Sequence, residues 1–352
     1  MSGSTPRLPA EWAPQTAVML TWPHAGTDCA PYLNDVEEVF YQIGAAVLAQ
    51  EDLLIVAPNT ECAAQIRRRL AAIGPGKLRL WCAPSNDIWA RDHGPMTVLV
   101  DGAPHLMDFI FNGWGGKFVS TLDSAITEQL STQGAFDGVT RLAINMILEG
   151  GAIEVDGNGT LLCRTPCLVD EHRNVGWDKT KVAQALRQHL GIKRIHWLAY
   201  GHLEGDDTDA HIDTLARFAN PDCIIYQACE DRTDSHYASL TAMAAELAAL
   251  RNAQGKPYRL IPLPLPAAIH DPETGRRLPA GYANFLIINN AVLLPIYADP
   301  ADQLAKQRLA EAFPDREIIA IDCRPLIRQY GSLHCVTMQL PAELAPYLRD
   351  GL

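Results

Sequence analysis

The sequence has no Cys-x-x-Cys pair and no dense cysteine framework. Its nine cysteines are scattered singly and odd in number, the pattern of reduced thiols rather than of a disulfide-stapled or zinc-clasped domain. One partial zinc signature breaks down. His202-Leu203-Glu204 has the His-x-Glu of zinc nucleobase deaminases, but Pro166-Cys167 leads to Asp170 where the second thiol is required. No apolar run approaches the ~20 residues of a membrane span. The opening Met1-Ser2-Gly3-Ser4-Thr5-Pro6 lacks a charged n-region and an apolar core, so no leader is expected. Basic residues are in deficit: 29 Lys and Arg against 41 Asp and Glu leave a net charge of −12. A phosphate backbone would find no basic face, so neither nucleic acid nor membrane is an expected partner. Long Pro/Ser/Gly linkers are absent too. The expectation is one domain over 1–352, in the cytoplasm, with self-association left open.

What is present is an alternation of short strands and helices. Strands are expected at Thr16–Trp22, Leu53–Val56, Leu78–Cys82, Met96–Val100, His105–Phe109, Ala152–Val155, Thr160–Cys163 and Arg194–Leu198. More follow at Leu215–Ala219, Cys223–Gln227, Arg259–Leu263, Asn284–Ile288, Val292–Ile296, Glu317–Ile321 and His334–Met338. Apolar residues at helical spacing mark helices after Asn34, which could cap the first with Glu37 reaching back to it, and over Cys62–Ile73, Leu122–Leu130, Lys179–Leu190, Ser235–Arg251 and Ala301–Phe313. Gly191 is the expected stop of the fourth. The Asp101-Gly102 and Asp156-Gly157-Asn158-Gly159 segments signal hairpins. The order amounts to about five passes of two strands, a helix and a strand. The proline-rich stretch 262–279 reads as an ordered surface loop, or else as a lid.

The chemistry gathers around Cys335. A thiolate attacking a planar guanidinium needs carboxylates to pair with its nitrogens and a His to protonate the departing ammonia and then activate water. Asp92, Asp213 and Glu149 are the candidate carboxylates, each expected at a strand end. His211 is the candidate acid/base; it is expected to share one side of an extended segment with Asp213, two residues on. Each alone has a plainer reading. Cys335 could be a buried thiol, Asp92 a surface partner of Arg91, Glu149 a turn carboxylate, His211 a structural imidazole, and the Asp206, Asp207, Asp209 run a solvated loop. Their joint occurrence is what points to a site.

Five segments occur in order: Trp89-Ala90-Arg91-Asp92-His93-Gly94-Pro95, Asp108 to Lys117, Leu148-Glu149-Gly150-Gly151, Asp206 to Asp213 with Ala216-Arg217-Phe218, and His334-Cys335-Val336-Thr337. Over about Trp22 to Gln339 the chain resembles the agmatine deiminase family, which groups with the bacterial peptidylarginine deiminases. The resemblance implies an α/β fold, the pentein, a five-bladed propeller of pseudo-fivefold modules. It also implies hydrolysis of agmatine to N-carbamoylputrescine and ammonia. Cys335 would be the nucleophile forming an amidino-thioether, His211 the acid/base, Asp92 and Asp213 the guanidinium clamp, and Glu149 the support for His and substrate. Trp89, Asp87, Asp207 and Trp114 would bind substrate. No metal and no organic cofactor is implied. Two segments depart from the family wording: Gln329–Cys335, with one glycine and Leu333 for the usual isoleucine, and Thr165–Asn174. A peptidylarginine or free-arginine deiminase, or an amidinotransferase, is the alternative of the same chemistry. A cysteine protease would leave the carboxylates without a task, and a catalytically dead guanidine binder would not need Cys335 and His211. Glu204, Asp206, Asp207 and Asp209 are candidates to attract a cationic tail; Arg91 and Arg217 are the residues that could instead pair with a carboxylate.

Overall fold

Alternation of apolar runs with turn residues resolves, in the computed structural model, into five small sheets; the structure describes residues 5–352. The residues Met1–Ser4, part of the segment read for a leader, lie outside the described residues. Four sheets have three strands each, and the fifth gains one because the C-terminal strand Thr337–Pro341 pairs with the first, Gln15–Thr21. Each sheet repeats one pattern, an antiparallel pair followed by a parallel neighbour. Met96–Val100 runs antiparallel to Ala103–Ile110, which is parallel to Thr140–Ile147. The same holds for Ile153–Val155, Thr160–Arg164 and Arg194–Leu198, and for Ala216–Asn220, Cys223–Gln227 and Arg259–Leu263. Leu286–Ile287, Ala291–Ile296 and Glu317–Asp322 complete the series. These five α/β modules match the five expected passes.

Local chemistry explains the connections. Parallel neighbours need a crossover, and helices such as Leu33–Leu48, Lys179–Leu190 and Ala301–Ala312 supply it. Antiparallel pairs need only tight turns. Asp101 and Gly102 both take positive φ (52° and 83°), as a two-residue hairpin turn requires. Asp156 Oδ1 accepts from the Asn158 and Thr160 amides, both at 2.8 Å, and fixes the second hairpin. Gly191 ends its helix at φ 70°. The central strands are buried on both faces: Val18, Leu20, Leu53, Ile55, Val292 and Leu293 are all shielded from solvent. No helix among the described residues is long and apolar enough to cross a membrane.

Several expectations change. The helix after Asn34 begins at Leu33 without a side-chain cap, because Glu37 accepts instead from the Trp22 indole at 3.0 Å. The strand expected at His334–Met338 begins only at Thr337, so Cys335 sits in the turn before it. Ile212–Thr214 is a 3-10 turn, not an extended segment. Asp92 lies on a one-turn helix, Ala90–His93, rather than at a strand end. Thr140–Ile147 was not expected as a strand at all.

Candidate active site

The turn holding Cys335 is organised by one side chain. Asn284 Oδ1 accepts from the His334 amide (2.9 Å) and the Cys335 amide (3.3 Å), and the Cys335 thiol reaches the same oxygen at 3.4 Å. Asp213 Oδ2 lies 3.8 Å from the sulfur. Cys335 is buried. Burial, reinforced by the charges of Asp213 and Asp92, pushes its pKa well above the ordinary thiol value. His211 is buried as well, and burial lowers it to about 3 against the pull of Asp213. Neither of its ring nitrogens has a hydrogen-bond partner among the described residues; Nδ1 stands 3.7 Å from Asp92 Oδ1. Without substrate, the site therefore holds a neutral thiol beside a neutral imidazole.

The two candidate clamp carboxylates, Asp92 and Asp213, differ in kind. Asp92 Oδ2 accepts from the Trp114 indole at 2.9 Å and Oδ1 from the Gly151 amide at 3.0 Å. Burial, with Asp213 and Glu149 nearby, still raises its pKa well above the carboxylate range. Burial would raise Asp213 too, but its bond to His334 and that ring's charge outweigh it and hold Asp213 low. An incoming cation would reverse the penalty on Asp92. Trp114 reaches Asp92 from a left-handed backbone conformation (φ 55°, ψ 53°), a strained state for a bulky residue that persists where the surroundings enforce it.

Glu149 is fully buried and not free. Arg173 Nε donates to both its oxygens at 2.9 and 3.1 Å. Burial raises Glu149 and Arg173 opposes the rise. Arg173 also ties down Asp170 and Asp209. Glu149, Cys167 and His211 place ligand atoms within 4.8 Å of one another. Since Arg173 occupies both Glu149 oxygens, this group serves an ion poorly.

A cavity of about 330 Å³ opens onto Cys335 and Asp92. Trp89, Trp114 and Phe118 line it with Asp87 and Asp207. All four residues expected to bind substrate thus border one space. Trp89 is fixed by its indole bond to Asp87 Oδ2 at 3.0 Å. Asp87 is raised to about 7 by burial and by Asp123; Asp207 also reaches about 7, through burial and Asp206. His211, Glu149 and Asp213 are not on the cavity wall; they are buried beside Cys335 and Asp92.

The tail candidates separate. Only Asp207 faces the cavity. Asp209 is spent on Lys117 and Arg173, Asp206 on Thr208 and the Ala210 amide, and Glu204 lies near Arg277. The Asp206–Asp209 run is thus an internally bonded scaffold rather than a solvated loop. Arg91 and Arg217 turn to Glu11 and Glu154 instead of the cavity. Reading the sequence missed Glu11, Asn284 and Arg173, which carry no local signal of chemistry, and the cavity residues Asp28 and Arg328. Stretch 262–279 does not line the cavity; it touches its rim through Arg276, 4.2 Å from the Tyr330 ring.

Relatives share this architecture over their full length. A protein from Porphyromonas gingivalis provisionally assigned as an arginine deiminase is 47% identical with a TM-score of 0.89, covering 98% of this chain and 100% of its own. A substrate-bound agmatine deiminase of C. jejuni carrying a Cys-to-Ser substitution is 35% identical, with a TM-score of 0.88 and 97% of each chain covered. The agmatine deiminase of Stutzerimonas stutzeri is 30% identical, over 98% of this chain and 99% of its own. The family profile for Porphyromonas-type peptidyl-arginine deiminases matches residues 7–341, and the chain belongs to that family.

Proposed function

We propose that this protein is an agmatine deiminase, a hydrolase that converts agmatine to N-carbamoylputrescine and ammonia. The observation that carries the reading is the single cavity that joins a buried thiol to Asp92, with further carboxylates, Asp28, Asp87 and Asp207, along its wall. Such a space suits a guanidinium at one end and an amine at the other. The agmatine deiminases among its full-length relatives support the same substrate.

The guanidinium binds between Asp92 and Asp213, and its charge makes a thiolate favourable beside it. The Cys335 proton passes to His211, and sulfur bonds to the guanidinium carbon. His211 returns that proton to the leaving nitrogen, the C–N bond breaks, and ammonia departs from a cationic amidino-thioether. His211, neutral again, takes a proton from water as its oxygen bonds to the same carbon. The C–S bond then breaks as the hydroxyl proton passes to the departing sulfur, which releases the ureido product and the neutral thiol, and His211 gives its proton to solvent, where it protonates the ammonia. Glu149 and Arg173 hold the His211 region in place, and the buried wall keeps bulk water from the thioether. The reaction fits the cytoplasm expected from unpaired cysteines.

One observation favours a second reading. Arg328 lines the cavity with its guanidinium carbon 3.9 Å from the Tyr32 ring centroid, and its buried Nε has no hydrogen-bond partner among the described residues. It could pair with the carboxylate of arginine or of a peptidyl arginine. Three acidic side chains against one arginine leave agmatine the better fit. Purified protein incubated with agmatine, arginine and a peptidyl arginine, followed by ammonia and ureido product, decides the matter. The highest kcat/KM is expected for agmatine; an equal or higher value for arginine would overturn the tail assignment and leave the deiminase chemistry standing.

A further inference from the structure

Beneath the clamp lies a buried ionic cluster of which the chemistry above uses only Asp213. His334 directly precedes Cys335, and its ring is 1% exposed. Nδ1 is 2.7 Å from Asp213 Oδ2, and Nε2 is 2.7 Å from Glu11 Oε2. A neutral imidazole has one N–H and one lone pair. Between two carboxylates it could satisfy one and would set its lone pair against the other. Distances of 2.7 Å on both sides require both nitrogens to donate, which is the imidazolium form.

The surrounding charges close only on that form. Glu11 Oε2 also forms ion pairs with Arg217 Nη2 at 2.9 Å and Arg91 Nη2 at 3.5 Å. Arg217 Nε donates to Glu154 at 2.7 Å. Arg91, Arg217 and His334 face Glu11, Glu154 and Asp213, three positive groups against three negative ones. All six are buried. Removing the proton from His334 would leave a buried anion without its counter-charge.

We infer that Glu11 and His334 are positioning residues for the deiminase reaction: Glu11 keeps His334 doubly protonated, and His334 keeps Asp213 ionised and turned toward the guanidinium. Asp213 Oδ2 is occupied by His334, while Oδ1 makes no hydrogen bond among the described residues and stays available to substrate. The same Oδ2 sets the charge 3.8 Å from the Cys335 sulfur. His334 and Glu11 also border a second cavity, lined by Arg91, Thr97 and Gln15, that shares no residue with the reaction cavity.

The inference rests on the deiminase reading for its kinetic arm and not for its spectroscopic arm. In 15N-histidine-labelled wild-type protein, identified by the signal missing from His334→Asn, His334 should show two protonated nitrogens at pH 7 to 8; a neutral tautomer there overturns the proposal. Glu11→Gln keeps the shape and removes one anion. Its kcat/KM for agmatine should fall off at a lower pH than in wild type, with a higher KM and a smaller change in kcat. A profile with an unmoved alkaline limb in a folded Glu11→Gln protein overturns it as well. Adding Glu11→Gln to His334→Asn should shift nothing further, since the titrating group is gone; a further shift would assign the effect to another group and refute the pairing.

Discussion

Replacing Gly151 by alanine tests the active-site geometry with one methyl group. Gly151 takes no positive φ, so alanine meets no backbone strain there. Its Cβ would lie 2.5 Å from His211 Nδ1, 3.0 Å from Asp92 Oδ1 and 3.1 Å from Asp213 Oδ2. Ordinary contact begins at 3.4 Å, so His211 must retreat by 3.4 − 2.5 = 0.9 Å or the turn must move. A displacement of about 1 Å in a reacting group costs on the order of 100-fold in rate, which corresponds to about 2.7 kcal/mol of barrier. The strain in a packed interior should cost about 1–3 kcal/mol of stability, leaving the protein folded. Initial rates of ureido product from agmatine, together with a denaturant melt, read both quantities. If folded Gly151→Ala retained kcat/KM within about threefold of wild type, the reasoning that His211 acts from this position would fail.

Four other outcomes are expected. Cys335→Ala should abolish turnover while the protein stays folded, and a quenched wild-type reaction should show a substrate-derived mass on the Cys335 peptide; residual turnover at a substantial fraction of wild type contradicts the nucleophile assignment. Asp87 and Asp207, both raised to about 7, are neutral below that pH and anionic above it. The KM for agmatine should therefore fall as pH rises from about 6 to 8, and a double substitution to asparagine should flatten the trend; an equally steep trend in that variant rules out both groups. Arg173→Met leaves Glu149 buried without its partner and should cost about 3–5 kcal/mol in urea unfolding; a loss below about 1 kcal/mol would mean that Glu149 is buried protonated. Dialysis against a chelator should leave activity intact, since Arg173 already occupies the one carboxylate of the Glu149, Cys167 and His211 group; activity lost on dialysis and restored by a divalent ion would require a metal step.

Local chemistry determined much of this molecule before any contact formed. Apolar runs placed Leu78–Cys82, Arg194–Leu198 and Arg259–Leu263 at their observed bounds, and Lys179–Leu190 ends where Gly191 can turn left-handed. The motif segments also brought forward Cys335, His211, Asp92 and Asp213 as candidates, because those residue types have few other reasons to recur together. The strand Thr140–Ile147 escaped notice because only Ile144 and Met146 are buried along it; much of its length is exposed at a sheet edge. The cap on the first long helix failed because Trp22, fifteen residues away, claims Glu37. Only tertiary structure could bring Glu11 to His334, across 323 residues, or Asn284 to Cys335, across 51. It alone decided protonation as well. Asp92 and Asp213 are the same side chain at similar burial, yet one is pushed up and the other held down. The difference lies in the His334 ring bonded to Asp213, and such a neighbour is a property of the assembled fold.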